Sequence, residues 1–293
     1  MTLKIGFIGF GEAAYHIAKG LAGAGAAHIS AFDKFWNVAP QAELIGQRAS
    51  DAGVVLTGSL KELAERSDII FSSVSANLAV ALAEECLPYL TAGQIYVDLN
   101  SAGPDTKAAA NDIVSAKALF VDVAVMGTVP GNGHKVPMLA SGGGAALFVE
   151  KMQPYGMNLT LLAGPAGKSS ASKMFRSIFM KGFVVLLLET VVAGHKYGIE
   201  DDVLASIEET LTAGPLLPII NGMLTRGVIH SERREHEMDE VIKTLNNLQV
   251  DSTMSLATKE KLRWCTELNF KEYFKGVPPK DFHEIFAVTD RRD

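Results

Sequence analysis

Short apolar runs alternate with amphipathic stretches through the first half of the chain. Leu3, Ile5, Phe7 and Ile8 form a run too short for a helix and bounded by glycine, which predicts a buried strand. A helical pattern follows through Ala13, Ile17, Ala18 and Leu21. Further strands are predicted at 28–32, 54–56, 69–74, 94–99, 118–125, 137–140 and 159–162. Helices predicted at 41–52, from Ser59 and at 76–89 separate several of them. Such alternation implies parallel strands joined by right-handed crossovers, an α/β doubly wound sheet of Rossmann type.

From Gly167 the texture changes, and residues 168–197 read as a single long helix. Residues 183–188 are apolar all round, but Arg176, Lys181 and Glu189 interrupt the helix. The uninterrupted apolar stretch falls well short of the ~20 residues of a membrane span. A helix buried in a domain core or a subunit interface is expected instead, with no membrane partner. Helices are also predicted at 201–212, 215–225, 233–248 and 252–268, and Pro278-Pro279 opens a tail that need not be ordered. The expected organisation is a first domain, 1–165, followed by an all-helical domain, 166–293, built on the long helix.

Composition narrows the possibilities. With 48% hydrophobic and 20% charged residues, the 293-residue chain is ordinary for a globular enzyme. A net charge of −6, with no offsetting Lys/Arg cluster, argues against a nucleic-acid surface. Cys86 and Cys265 match no metal or redox spacing, so no metal is expected and both read as inert thiols in a reducing compartment. The first strand begins at Leu3, which leaves no room for a signal peptide; a cytoplasmic location is the expectation.

The first strand breaks at Gly9-Phe10-Gly11-Glu12-Ala13-Ala14, a G-x-G-x-x-A turn placed between strand and helix. That is the dinucleotide-binding fingerprint in its required context. Gly9 permits the tight turn, Gly11 lets a pyrophosphate approach the backbone, and Ala14 lets the helix pack closely on the strand. The helix start then faces the phosphates. Asp33 ends the second strand about 20 residues on, where an acidic group binds the adenosine ribose. A solvated strand-end carboxylate is the alternative. Asp33 favours NAD, since a carboxylate repels a 2′-phosphate, whereas the Lys34 ammonium suits NADP. The cofactor is NAD or NADP.

Three later stretches place small or polar residues where strands should end: Val74-Ser75-Ala76-Asn77, 98–104 and 122–130. Each alone reads as an ordinary turn. Together, after successive strands, they suit the lining of one crevice. A fourth stretch, 164–177, opens the long helix and places Lys173, Arg176, Ser177 and Lys181 on one face. Such a stripe is often a salt-bridged surface. It also suits a lysine acid/base beside groups that hold a substrate carboxylate, with Arg176 three residues away lowering the ammonium pKa.

These motifs, in this order, resemble the β-hydroxyacid dehydrogenases, which include 3-hydroxyisobutyrate dehydrogenase and 6-phosphogluconate dehydrogenase. Asp98-Leu99-Asn100-Ser101-Ala102-Gly103-Pro104 resembles the family's D-x-S-T-x-x-P. Residues 122–128 resemble the substrate loop D-A-P-V-S-G-G, and 164–177 resemble G-x-x-G-x-G-x-x-x-K-x-x-N-N. The resemblance implies that Lys173 is the catalytic lysine, that Ser75 and Ser101 lie near the nicotinamide, and that Gly127 and Thr128 contact substrate. It further implies that the helical domain dimerises around the long helix. The departures are Met126 and Thr128 in the substrate loop, Arg176 and Ser177 for two asparagines, and His236-Glu237-Met238 for a late K-D-L that closes over the nicotinamide. With Lys173-Met174-Phe175-Arg176-Ser177 ahead of Lys181-Gly182, the chain is similar to a divergent phosphogluconate dehydrogenase-like branch. The implied activity is NAD(P)-dependent hydride transfer on a small, anionic hydroxyacid or semialdehyde. An imine reductase and a non-catalytic dinucleotide-binding module are the alternatives.

Overall fold

The computed structural model describes residues 2–292, so Met1 and Asp293, the outer ends of the two expected domains, lie outside it. The chain divides into two compact units, Met1–Ile178 and Phe179–Asp293. In the first, β1 (Lys4–Ile8), α1 (Glu12–Gly23), β2 (His28–Phe32), α2 (Gln41–Ala52), β3 (Val55–Leu56), α3 (Leu60–Glu65) and β4 (Ile69–Ser72) follow one another. Then come α4 (Ala79–Cys86), β5 (Ile95–Asp98), α5 (Pro104–Val114), β6 (Leu119–Val125), β7 (Met138–Ser141), α6 (Ala145–Met152) and β8 (Leu159–Leu161). The eight strands form one sheet in the order β3-β2-β1-β4-β5-β6-β7-β8. Strand order reverses between β1 and β4, and it is outside the strand ends at such a point that open α/β sheets bind ligands.

Both faces of this sheet are covered, which is why β4 and β5 are buried at every residue instead of alternating. Ile5, Phe7, Phe71 and Val97 pack with Ala14, Ile17 and Leu21 of α1 and Phe148 of α6. Ile8, Ile70, Tyr96 and Phe120 pack on the other side with Leu63 of α3, Ala83 of α4 and Val114 of α5.

One expectation fails here. β7 runs antiparallel to β6, and β8 is parallel to β7, so the last two strands are reversed. A parallel partner needs a crossover helix. The segment between β6 and β7 carries only a single turn of 3₁₀ helix, Gly133–Lys135. Helices α5 and α6 occupy stretches where the sequence pattern predicts none.

The long helix α7 (Lys168–Tyr197) runs from the first unit into the second, and the division between units falls within it. The second unit continues with α8 (Glu200–Thr212), α9 (Leu216–Ile229), α10 (Ser231–Asn247), α11 (Thr253–Glu267), α12 (Phe270–Tyr273) and α13 (Phe286–Thr289). Glu189 of α7 caps α11, its carboxylate accepting from Met254 N at 2.8 Å, Ser255 N at 2.9 Å and Ser255 Oγ at 2.6 Å. The segment after Pro278-Pro279, which the sequence left free to be ordered or not, is ordered: Asp281 and Glu284 form a capping box, and Ile285 and Val288 pack on Phe270. By length and composition α7 also meets the criteria of a membrane span, and only 6% of its most apolar window is buried.

Helix α1 shows how tightly the first unit is packed. A Cβ on Gly20 would lie 2.1 Å from Nδ1 of buried His134, whereas one on Gly23 would meet nothing within 4 Å. Glycine-to-alanine exchange within a helix gains about 0.5–1 kcal/mol, but overpacking a core costs about 1–3 kcal/mol. Gly20→Ala should therefore lower the melting temperature by several degrees, and Gly23→Ala should leave it unchanged or raise it; thermal denaturation of both variants checks this.

Candidate active site

The glycine turn is built on backbone constraints. Gly9 has φ +80°, and a Cβ there would lie 2.3 Å from the Ser73 carbonyl oxygen, so no other residue fits without a shift. Gly11 is the N-cap of α1, and on its side-chain side nothing lies within 4 Å. Among the described residues no side chain caps α1, which leaves its first-turn amides for an anion. Ala14 is fully buried against the sheet. The Phe10 side chain is also buried, packed edge-on to Phe7, so only its backbone faces the turn.

Asp33 completes this turn. Its carboxylate accepts from Phe10 N at 2.8 Å and from Phe35 N at 2.9 Å, tying the glycine turn to the end of β2. A cavity of about 660 Å³ opens here, its wall including Gly9, Gly11, Asp33, Lys34, Val74 and Ser75. Glu85 of α4 also lines it, a residue that no sequence motif singles out. Glu12, on the first turn of α1, and Asn77, in the turn after β4, are exposed. Open glycine backbone, uncapped helix amides and a strand-end carboxylate around one cavity fit a dinucleotide.

Further along the same sheet edge, the turn after β5 carries Asn100 and Ser101. Asn100 accepts from Val74 N at 2.6 Å and donates to Ser72 Oγ at 3.0 Å, locking the ends of β4 and β5 together. Lys173 Nζ donates to Ser101 Oγ at 3.1 Å. Burial holds the Lys173 pKa below the ordinary lysine value, and the Lys107 ammonium lowers it further. The neighbouring charge is thus Lys107, not Arg176 as the spacing suggested; Arg176 is exposed. Ser177 donates its hydroxyl to Lys173 O at 2.9 Å, back into its own helix. Gly127 and Thr128 lie in the loop after β6, which Met126 N closes by donating to Pro137 O at 2.8 Å. Lys181 and His236 belong to the second unit.

Beneath Ser101 and Lys173 lies a buried charge cluster that the sequence motifs do not reveal. Asp98 and Asp122 end up side by side, paired in register on adjacent strands β5 and β6. Lys107, fully buried on α5, donates to Asp98 Oδ1 at 2.9 Å and Asp98 O at 2.8 Å and pairs with Asp122 Oδ1 at 3.4 Å. Asp122 also accepts from Gly167 N at 3.1 Å, Ser170 N at 3.0 Å and Ser170 Oγ at 2.6 Å. A signal was present: Lys107 shares the buried stripe of α5 with Ala110 and Val114, an unusual place for an unpaired lysine.

Comparison with known proteins agrees with this geometry. Residues 4–158 match the NAD binding domain of 6-phosphogluconate dehydrogenase, and residues 194–265 match a domain of unknown function, DUF1932. A conserved hypothetical protein from Sinorhizobium meliloti 1021 is 32% identical, covering 100% of this chain and 97% of its own, with a TM-score of 0.66. A conserved protein of unknown function, described as structurally similar to 3-hydroxyacid dehydrogenases, is 32% identical over 90% of this chain and 98% of its own, at a TM-score of 0.63. An Aspergillus terreus imine reductase solved with NADPH4 shares the fold at a TM-score of 0.74 and 16% identity, over 96% of this chain and 97% of its own. With its glycine turn, its doubly wound sheet and a match over more than half its length, the chain belongs to the family of the NAD binding domain of 6-phosphogluconate dehydrogenase.

Proposed function

We propose that the chain is an NAD(P)-dependent oxidoreductase acting between a small carboxylate-bearing hydroxyacid and its carbonyl form, with Lys173 as acid/base. One observation carries this reading: half-buried Lys173 lies 3.1 Å from Ser101 on the sheet edge that also bears the glycine turn. An ammonium whose pKa is lowered by burial exchanges its proton nearer neutral pH, as acid/base work requires. The nicotinamide, when bound, supplies or accepts the hydride. Lys173 takes the hydroxyl proton in oxidation and returns it to the carbonyl oxygen in reduction. Ser101 orients the ammonium. Exposed Arg176 offers a bidentate fork for a substrate carboxylate. Gly127 and Thr128 offer an amide and a hydroxyl from the loop after β6.

For the cofactor we favour NAD. Asp33 and Glu85 both line the cavity, two carboxylates against the single Lys34 ammonium. Lys34 Nζ sits 4.8 Å over the Phe35 ring, a contact that occupies it. A second copy of the chain is the proposed partner. Phe175, Ile178, Phe179, Val184 and Leu188 of α7 are each more than 60% exposed, an apolar surface that a monomer rarely leaves uncovered. Lipid is a poor cover, because α7 is fastened at Glu189 to the start of α11, a helix with many charged side chains.

Measurements of turnover, cofactor binding and assembly test these statements. A panel of 3-hydroxyacids, semialdehydes and a cyclic imine, each with both cofactors, should show turnover at the nicotinamide absorbance with an acid. Lys173→Met should cut that turnover by roughly two orders of magnitude or more while the cofactor dissociation constant barely moves; full activity in the folded variant would end the mechanism. Direct titration should give tighter NADH than NADPH, and the reverse order would transfer the 2′-position to Lys34. Light scattering at micromolar concentration should give a dimer; a monomer, or flotation with phospholipid vesicles, counts against the assembly.

A further inference from the structure

The ion cluster under the site has no role in the reaction as described, yet it holds the two segments that carry Ser101 and Lys173. Asp98 accepts from Asn100 N at 2.8 Å and so shapes the turn that presents Ser101. Asp122 holds Gly167 and Ser170, the start of the helix that presents Lys173. Lys107 bridges the two carboxylates. Its side chain is fully buried, as are those of Asp98 and Asp122. A charge fixed in the interior acts at a distance that a solvated one does not. We propose that Lys107 is a positioning residue of this site, setting both the placement of Lys173 against Ser101 and the charge environment in which Lys173 gives up its proton.

The Lys107 ammonium acts on Lys173, and the charged groups of this region come from separate elements. Lys107 comes from α5, Asp98 from the end of β5 and Asp122 from β6, while Arg176 lies a turn further along α7 and is exposed. Behind Asp98 the Tyr96 hydroxyl is pushed well above its ordinary pKa by burial, and the Cys86 thiol to about 12, so neither carries charge near neutral pH. Removing the Lys107 cation should make Lys173 easier to protonate. Removing the Asp98 carboxylate, with Lys107 kept, should make it harder.

The proposal rests on Lys173 being the group the site uses, but its test reads Lys173 without turnover. Trace acetic anhydride labels each lysine of the intact protein in its free amine form. Peptide mass spectrometry across a pH series then gives the Lys173 midpoint in wild type, Lys107→Gln and Asp98→Asn. The midpoint should rise by about one pH unit in Lys107→Gln and fall in Asp98→Asn. A role confined to holding the fold together would loosen and hydrate the site in both variants and move both midpoints upward, which overturns the proposal. Should Lys107→Gln not fold, Asp98→Asn decides alone, since an unchanged or raised midpoint there also overturns it. A fully active Lys173→Met enzyme would remove the functional reading and leave the labelling result standing, so the two failures are distinguishable.

Discussion

The carboxylate of Asp122 is the constraint on which the first unit turns. A charge taken out of water into a sheet interior survives only where donors replace its hydration. Here they come from Ser141 on β7, from Gly167 and Ser170 at the start of α7, and from Lys107 on α5. These contacts join neighbouring strands and two helices at one point. Helix α7 consequently starts at a fixed place on the sheet edge, and Lys173, about one turn beyond Ser170, is delivered to Ser101. The position of the lysine follows from an anchored helix start, not from the lysine's own contacts.

Much of the fold was legible because it rests on local grammar. Apolar runs of strand length, glycine breaks and helical spacing recur from β1 to β6, and α2 spans the predicted 41–52. Strand direction was not legible in the same way. The apolar run of β7 says strand but carries no sense; only the lack of a helix among the glycines and prolines before it signals reversal. Helix α5 is easily overlooked because its alanines give weak periodicity, although Pro104 at its start and Lys107 within it mark it. The prolines of the C-terminal segment suggest a loose tail. The D-x-x-E of Asp281 and Glu284, which caps the next turn, is equally visible.

The site was legible where a motif ties a residue to a backbone requirement. Gly9, Gly11 and Ala14 stand where the fingerprint requires. Asp33 does more than face the pocket, because its carboxylate accepts amides from the glycine turn and from Phe35 and so also shapes it. Lys107 escapes a reading along the chain for a physical reason. Each of Asp98 and Asp122 looks like a strand-end acid, and only the register that sets them side by side creates the repulsion that a buried cation must neutralise. Pairing between strands is non-local, and no spacing along the chain expresses it.

The same point explains why charge at this site cannot be ranked by distance along the sequence. Arg176 lies three residues from Lys173 and on the same helical face, yet water and salt around an exposed guanidinium weaken its field. Lys107 lies on another helix, but the low polarizability of the core preserves its effect on the Lys173 ammonium. The arrangement also separates two kinds of recognition. Carboxylates of Asp33 and Glu85 line the cavity at the glycine turn, where a helix start favours phosphate. Cations stand at the start of α7, where the proposed substrate brings a carboxylate. Under the proposed reading, a site divided in this way would orient an anionic substrate before any contact with the reacting carbon is made, and it would leave the buried lysine, not the exposed arginine, to set the proton affinity of Lys173.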